Sequence, residues 1–235
     1  MRICLLKCTL HIIFFIGAVN ASLVFAQSAS LPVERSLNKY KKELKQFPFR
    51  EMVELKSSIP SIIYDLRYAS LHNFMQRPMY PAGTTITFLR KPAADSLLKV
   101  QEALNKEGLG LKVFDAYRPY SVTKHFWELV KDERYVANPA KGSNHNRGTA
   151  IDLTIIDLNT GKELDMGTGF DNFSDTAHHS FKQLSTPILQ NREKLKIIMA
   201  KYGFAALPTE WWHYTYQSDL KFTVMDIPFN KLSFR

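Results

Sequence analysis

The chain has 235 residues, 45% of them hydrophobic and 23% charged, which suits one globular domain better than two. Basic residues outnumber acidic ones 31 to 22, for a net charge of +9. With no interleaved basic and aromatic motif, this argues against a nucleic-acid partner and for a solvated surface or weak contact with an anionic cell envelope.

Arg2 and Lys7 precede an uncharged apolar run over 10–19, and small residues follow, with Val24-Phe25-Ala26 as the better cleavage site and Val19-Asn20-Ala21 as the poorer. This pattern predicts a secretory signal peptide over 1–26 and an exported protein, periplasmic or secreted. The run is shorter than the roughly 20 residues a membrane span needs. Cleavage after Ala26 takes Arg2 and Lys7 with it, lowering the net charge to +7, and removes Cys4 and Cys8, the only cysteines. That excludes disulfides, thiolate metal sites and a cysteine nucleophile, so a metal would be bound through nitrogen and oxygen.

Residues 27–50 are polar and rich in lysine and read as a linker with a short helix near 36–46, ahead of a domain over 51–235. A first strand region follows over 52–68, broken by Pro60. Pro78, Pro81 and Gly83 make 72–85 mostly loop, and 86–89 reads as a short strand. Leu97, Leu98, Gln101 and Leu104 fall at helical spacing over 93–106, and Gly108 ends that helix. A strand at 111–114 exits through Asp115-Ala116-Tyr117-Arg118-Pro119. Ser121 is placed to cap a helix from 122 to about 134, and 138–142 is loop. The β-branched run 151–156 predicts a strand with Ile151, Leu153 and Ile155 on one face and Asp152 and Thr154 on the other. Thr160-Gly161 is a turn and 166–171 a glycine-containing loop. Residues 190–202 are the clearest helix, with Leu195, Ile198, Met199 and Tyr202 aligned and Gly203 as its stop. The aromatic run 211–216 reads as a strand carrying Trp211, His213 and Thr215 on one face. Helices and strands mixed without a βαβ repeat predict a single α+β domain with a small, largely antiparallel sheet.

The chemistry concentrates in two segments. Ser143-Asn144-His145-Asn146-Arg147-Gly148-Thr149-Ala150-Ile151-Asp152 sets an imidazole and a carboxylate seven residues apart, and Glu210-Trp211-Trp212-His213-Tyr214 offers a second imidazole. A catalytic zinc site needs three protein ligands and an open position, and His145, Asp152 and His213 supply three. Gly148 lets the chain turn between the first two. Glu210 is placed to stand beside the metal as an unligated base, able to take a proton from water and return it to a leaving amine. Arg118, stiffened by Pro119, is placed to stabilise an oxyanion. Each piece also has an ordinary reading: a hydrogen bond between His145 and Asp152, an aromatic core strand around His213, an ion pair between Arg118 and Asp115. His178-His179 is an adjacent pair whose side chains diverge, suited to a supporting or surface role, and His72 and His125 have no acidic neighbour that suggests ligation.

Taken together, the segments resemble the D-alanyl-D-alanine dipeptidase family of zinc peptidases, which includes the vancomycin-resistance dipeptidases. The resemblance runs from about Ile59 to Tyr216. It rests on Leu66-Arg67-Tyr68-Ala69 with Asn73-Phe74, on Asp115-Ala116-Tyr117-Arg118-Pro119, on the segment from Ser143 to Thr154, on Met166-Gly167-Thr168-Gly169-Phe170-Asp171 with His178-His179, and on Glu210-Trp211-Trp212-His213-Tyr214, in that order. It implies one zinc ion per chain on His145, Asp152 and His213, Glu210 as general base and acid, and Arg118 stabilising the transition state. It further implies Tyr68 and Asp171 at the substrate's amino end and Ser143 near its carboxylate. The expected activity is hydrolysis of D-Ala-D-Ala in cell-wall metabolism. The alternatives are a D,D- or L,D-carboxypeptidase acting on longer wall peptides, or a zinc-containing wall-binding protein without catalysis.

Overall fold

A computed structural model describes residues 30–233. The expected signal peptide lies outside the described residues. The central sheet has five strands. β3 (Ile63–Tyr64), β5 (Leu109–Asp115), β6 (Ala150–Asp157), β8 (His213–Tyr216) and β7 (Phe204–Ala206) lie side by side in that order. Only the edge pair β3 and β5 is parallel; every other pairing in this sheet is antiparallel. Two short pairs complete the strands: β1 (Val33–Glu34) runs parallel to β9 (Val224–Met225), and β2 (Met52–Glu54) runs antiparallel to β4 (Phe88–Arg90). The helices are α1 (Leu37–Gln46), α2 (Leu55–Ser58), α3 (Lys91–Asn105), α4 (Tyr120–Leu129), α5 (Asn144–Arg147), α6 (Thr186–Lys201) and α7 (Phe229–Leu232). This is the α+β domain with a largely antiparallel sheet that the pattern predicts.

Two apolar cores flank the region that matters. One joins Leu97, Val100 and Leu104 of α3 and Leu195 and Met199 of α6 to the sheet residues Leu111, Val113, Ile151, Leu153 and Tyr214. The other is aromatic, built from Tyr40, Tyr68, Tyr80, Phe88, Tyr117, Phe126 and Phe229. Phe170 packs against both. Burial of this much aromatic surface gives rigid walls to whatever lies between them.

Several expectations change. The stretch expected as linker is docked from Leu31 onward. The short helix is there as α1, capped by the Ser36 hydroxyl, but its Tyr40 is 1% exposed and the Tyr40 hydroxyl accepts the Met52 N–H at 2.6 Å. Tyr40, with Leu37 and Leu44 packed against the same aromatic core, anchors the segment. α4 starts at Tyr120 behind Pro119, not behind Ser121, and ends at Leu129 rather than near 134. The Ser121 N–H donates instead to Asp226 Oδ1, and the polar run beyond Val130 makes its own local ion pairs, Arg134 with Asp132 and Lys141 with Glu133. α6 begins four residues before the expected 190, where Ser185 occupies the cap position and a proline opens the first turn. The last strand of the motif begins only at His213. Trp211 and Trp212 precede it in a bend, which lets both indoles be buried. Both faces of β6 are buried, so Asp152 and Thr154 point into protein and not to solvent.

Candidate metal centre and its cleft

β6 and β8 are neighbours, and Asp152 and His213 are register partners across them. α5 delivers the third group. Its single turn is held by a reciprocal cap: the Ser143 hydroxyl accepts the His145 N–H at 3.1 Å, and the Asn146 side chain accepts the Ser143 N–H at 2.9 Å. Gly148 ends the turn at φ +70°, a conformation that costs a side-chain-bearing residue about 1–2 kcal/mol. His145 is thereby aimed across the sheet at Asp152 and His213.

The three side chains meet. Their candidate ligand atoms lie within 4.8 Å of one another. His213 Nδ1 is 2.9 Å from Asp152 Oδ1 and 3.2 Å from His145 Nε2, and His145 Nε2 is 3.4 Å from Asp152 Oδ2. His145 Nδ1 faces the Ala116 carbonyl at 2.7 Å. A carbonyl only accepts, so Nδ1 carries the proton and the lone pair of Nε2 is turned to the centre. This is the outer contact that fixes a metal-binding tautomer. His213 Nε2 has Thr215 Oγ1 at 3.3 Å, which leaves its Nδ1 for the same centre.

The charge balance points the same way. Asp115, Asp152, Asp171 and Glu210 converge here, and one guanidinium, Arg118, opposes them. Burial works against ionised Asp152, but His145 and His213 outweigh it and hold that carboxyl below the usual range. Burial lowers His213, with Asp152 opposing. Glu210 is pushed well above the ordinary range by burial first, then by Asp152 and Asp171. Burial and then Asp152 push Asp171 up to about 8. Two lone pairs and a carboxylate turned on one point, among acids that burial and mutual repulsion drive toward protonation, fit a divalent cation.

Arg118 makes the ion pair expected with Asp115. Its Nε and Nη2 donate to Asp115 Oδ2 at 2.9 and 2.7 Å, and Nη2 also lies 3.7 Å from Asp152 Oδ2. The rings of Tyr68 and Phe126 lie against its guanidinium at 5.1 and 4.7 Å. Asp115 takes the Tyr80 hydroxyl as a third donor. A break in the β5–β6 register after Val113 sets Asp115 opposite Asp152, a bulge that re-aims a side chain beside the site. Glu210 stands 3.9 Å from His213 Nδ1 through Oε2. The Tyr68 hydroxyl donates to Asp171 at 3.0 and 3.2 Å from its two oxygens, and Asp171 holds φ +60°. Arg118, Tyr68, Asp171, Glu210 and Ser143 line one cleft of about 210 Å³ together with His145, Asp152 and His213.

Some histidines stand apart. The His179 N–H donates to the Pro208 carbonyl at 3.0 Å, and burial pushes its ring down to about 4. It therefore braces the segment that carries Glu210. His178 faces Asp175 at 3.8 Å. His72 and His125 are exposed. Among the described residues, only His145, Asp152 and His213 form a group able to hold a metal. Tyr80, which donates to Asp115, is a supporting residue that the sequence did not single out; Asp115, Asn146 and Thr215 lie in segments that it did, and Asp115 stands where the expected ion pair with Arg118 puts it.

Comparison with known proteins places most of the chain in one family. A peptidase M15 family model described as D-ala-D-ala dipeptidase matches residues 49–231. The chain is 36% identical to the D-alanyl-D-alanine dipeptidase of Escherichia coli K12 over 164 residues, covering 70% of this chain and 83% of that protein. It is 32% identical to the D-alanyl-D-alanine dipeptidase of Enterococcus faecium, covering 70% of this chain and 91% of that one. The structure of an LD-carboxypeptidase, LdcB, is 26% identical and superposes with a TM-score of 0.37 over 55% of this chain and 59% of that chain. With three donors at one point in the chain's own fold and the family model spanning nearly all of the described domain, the chain belongs to the M15 D-Ala-D-Ala dipeptidase family of metallopeptidases.

Proposed function

We propose that the protein is an exported zinc dipeptidase that hydrolyses D-Ala-D-Ala in the envelope. The observation that carries this reading is the convergence of His145, Asp152 and His213 with Glu210 and Arg118 in one small cleft. The first three would hold one Zn²⁺, which supplies a Lewis acid that acidifies water and polarises a peptide carbonyl.

The chain's own residues do the rest. Glu210, driven toward protonation by burial and by Asp152 and Asp171, is suited to take a proton from the attacking water near neutral pH and return it to the departing amine. Arg118 offers N–H groups to the carbonyl oxygen as it becomes an anion, held rigid for that task by Asp115. Asp171 and Tyr68 receive the substrate's ammonium. The Ser143 oxygen already accepts the His145 N–H, so its own hydrogen is left to donate to the substrate carboxylate. At about 210 Å³ the cleft is smaller than the roughly 300–1,000 Å³ that holds drug-sized ligands, which favours a dipeptide of small side chains over a longer wall peptide.

The test is release of free alanine from D-Ala-D-Ala and from L-Ala-D-Ala, with and without a chelator, by the wild type and by Glu210→Gln. The variant is expected to keep one metal per chain and lose about 10²–10⁴ in turnover. A metal-loaded variant with full activity would overturn the role of Glu210. A metal-loaded wild type that cleaves neither dipeptide would overturn the proposed function.

A further inference from the structure

The floor and the rim of the cleft differ. The floor residues His145, Asp152, Glu210 and Arg118 are buried, whereas Phe74, Tyr135 and Phe173, which line the same cleft, are half-buried. These three come from three loops far apart in sequence, yet they touch. Phe173 stacks on Tyr135 with ring centres 4.9 Å apart and planes at 30°, and it meets Phe74 edge-on at 5.2 Å. Phe74 in turn rests on Phe126 at 5.0 Å and on Tyr68 at 6.2 Å. The far end of the chain of rings is tied down as well: the Thr209 hydroxyl donates to the Arg134 carbonyl at 3.2 Å, one residue from Tyr135 and one from Glu210.

We propose that the bridge Phe74–Phe173–Tyr135 closes the cleft beyond the substrate's amino end, with Phe173 as the residue that sets substrate length. The side of closure follows from the connections. Phe173 is two residues from Asp171, and Phe74 leans on Tyr68, whose hydroxyl donates to Asp171. The proposal thus rests on the reading that Asp171 and Tyr68 hold the ammonium. A peptide extended at that end would have to break both ring contacts of Phe173. A peptide altered at its carboxyl end would meet Ser143 and not the bridge. Removing the ring is expected to turn a dipeptidase toward a carboxypeptidase that releases the last D-alanine of a longer chain.

The experiment compares kcat/KM for D-Ala-D-Ala, Gly-D-Ala-D-Ala and D-Ala-D-Ala amide in the wild type, Phe173→Leu, Phe173→Ala and Tyr135→Ala, with thermal unfolding to confirm the fold. The ratio of tripeptide to dipeptide activity should rise by on the order of tenfold or more in Phe173→Ala, the scale on which lost steric exclusion alters selectivity. Phe173→Leu should fall between, and Tyr135→Ala should shift the ratio in the same direction. The ratio of amide to free dipeptide should stay constant. Folded variants with unchanged tripeptide selectivity overturn the bridge, as does an equal gain on the amide. A wild type inactive on the dipeptide itself marks instead the failure of the functional reading.

Discussion

Asp115→Asn isolates what holds Arg118 in place. Asp115 is 0% exposed and its Oδ2 takes two guanidinium bonds while Oδ1 takes the Tyr80 hydroxyl. An asparagine fits the same space: its carbonyl oxygen can face Arg118 while its amide faces Tyr80, whose oxygen can accept. Shape survives and the charge is lost. Bonds between ions are about twice as strong as bonds without that assistance, and a bond to a charged group contributes about 1.5–3 kcal/mol, so the guanidinium loses about that much anchoring. The neighbouring carboxylate nearest to hand is Asp152, 3.7 Å from Nη2. Arg118 is then drawn toward a proposed metal ligand and away from where an oxyanion forms. Two effects should appear together: kcat/KM for D-Ala-D-Ala down about 10–100-fold, as about 1.4–2.7 kcal/mol of barrier implies, and zinc affinity weakened by a similar factor in competition with a chromophoric chelator. A folded Asp115→Asn protein with wild-type kcat/KM and wild-type zinc affinity would refute the reasoning.

Gly148→Ala should lower stability by about 1–2 kcal/mol through the left-handed backbone alone; the new Cβ would also meet the Met52 Sδ and Cε at 2.7 Å. Thermal unfolding measures the loss, and zinc titration should show weaker binding because His145 and Asp152 flank the turn. Asp171 sits at about 8 in the folded protein against 3.8 for an ordinary aspartate, so the native state holds the extra proton between those values. The stability of the chelator-treated protein should therefore fall as pH rises from about 4 through 8. Asp171→Asn should flatten that slope and unfold at least about 2–4 °C higher at pH 8.5, the shift that 1 kcal/mol gives a domain of this size. Zinc added back to chelated protein should raise the unfolding temperature in proportion to the logarithm of its concentration, and Asp152→Ala should abolish that rise.

How much of this was legible depended on whether a function sits in neighbouring residues or only in neighbouring space. The three candidate metal donors were legible because their chemistry is rare and their segments carry local grammar: Ser143 and Gly148 bracket one turn, and the β-branched run after Ala150 dictates a strand. α3 and α6 were legible from their apolar stripes, although the proline that opens α6 was the better start signal than the stripe. The docking of α1 was not legible, because a helix of lysines with one buried tyrosine has the composition of a linker. Nor was the bulge that turns Asp115 toward Asp152, since one irregular residue in a strand leaves no periodic trace. The bridge of Phe74, Tyr135 and Phe173 was invisible for a plainer reason. Each ring lies in a loop, where no repeat predicts direction, and their meeting depends on the path of the whole chain.

Arg90 shows the same limit in the framework behind the cleft. In the sequence it lies just beyond the short strand expected over 86–89. In the fold it is buried, and its guanidinium donates to the carbonyls of Arg50, Arg147 and Thr223. One side chain therefore ties the docked N-terminal segment, the turn that carries His145 and the C-terminal segment to one another. No carboxylate partner is needed, because three carbonyl dipoles can hold a cation without cancelling its charge. That choice has a consequence at the metal site. An anion placed here would be one more negative group in a region where four carboxylates already face one guanidinium. With dipoles in its place, the framework closes around His145 without adding a further acid beside Asp171 and Glu210, which burial and their neighbours already drive toward protonation.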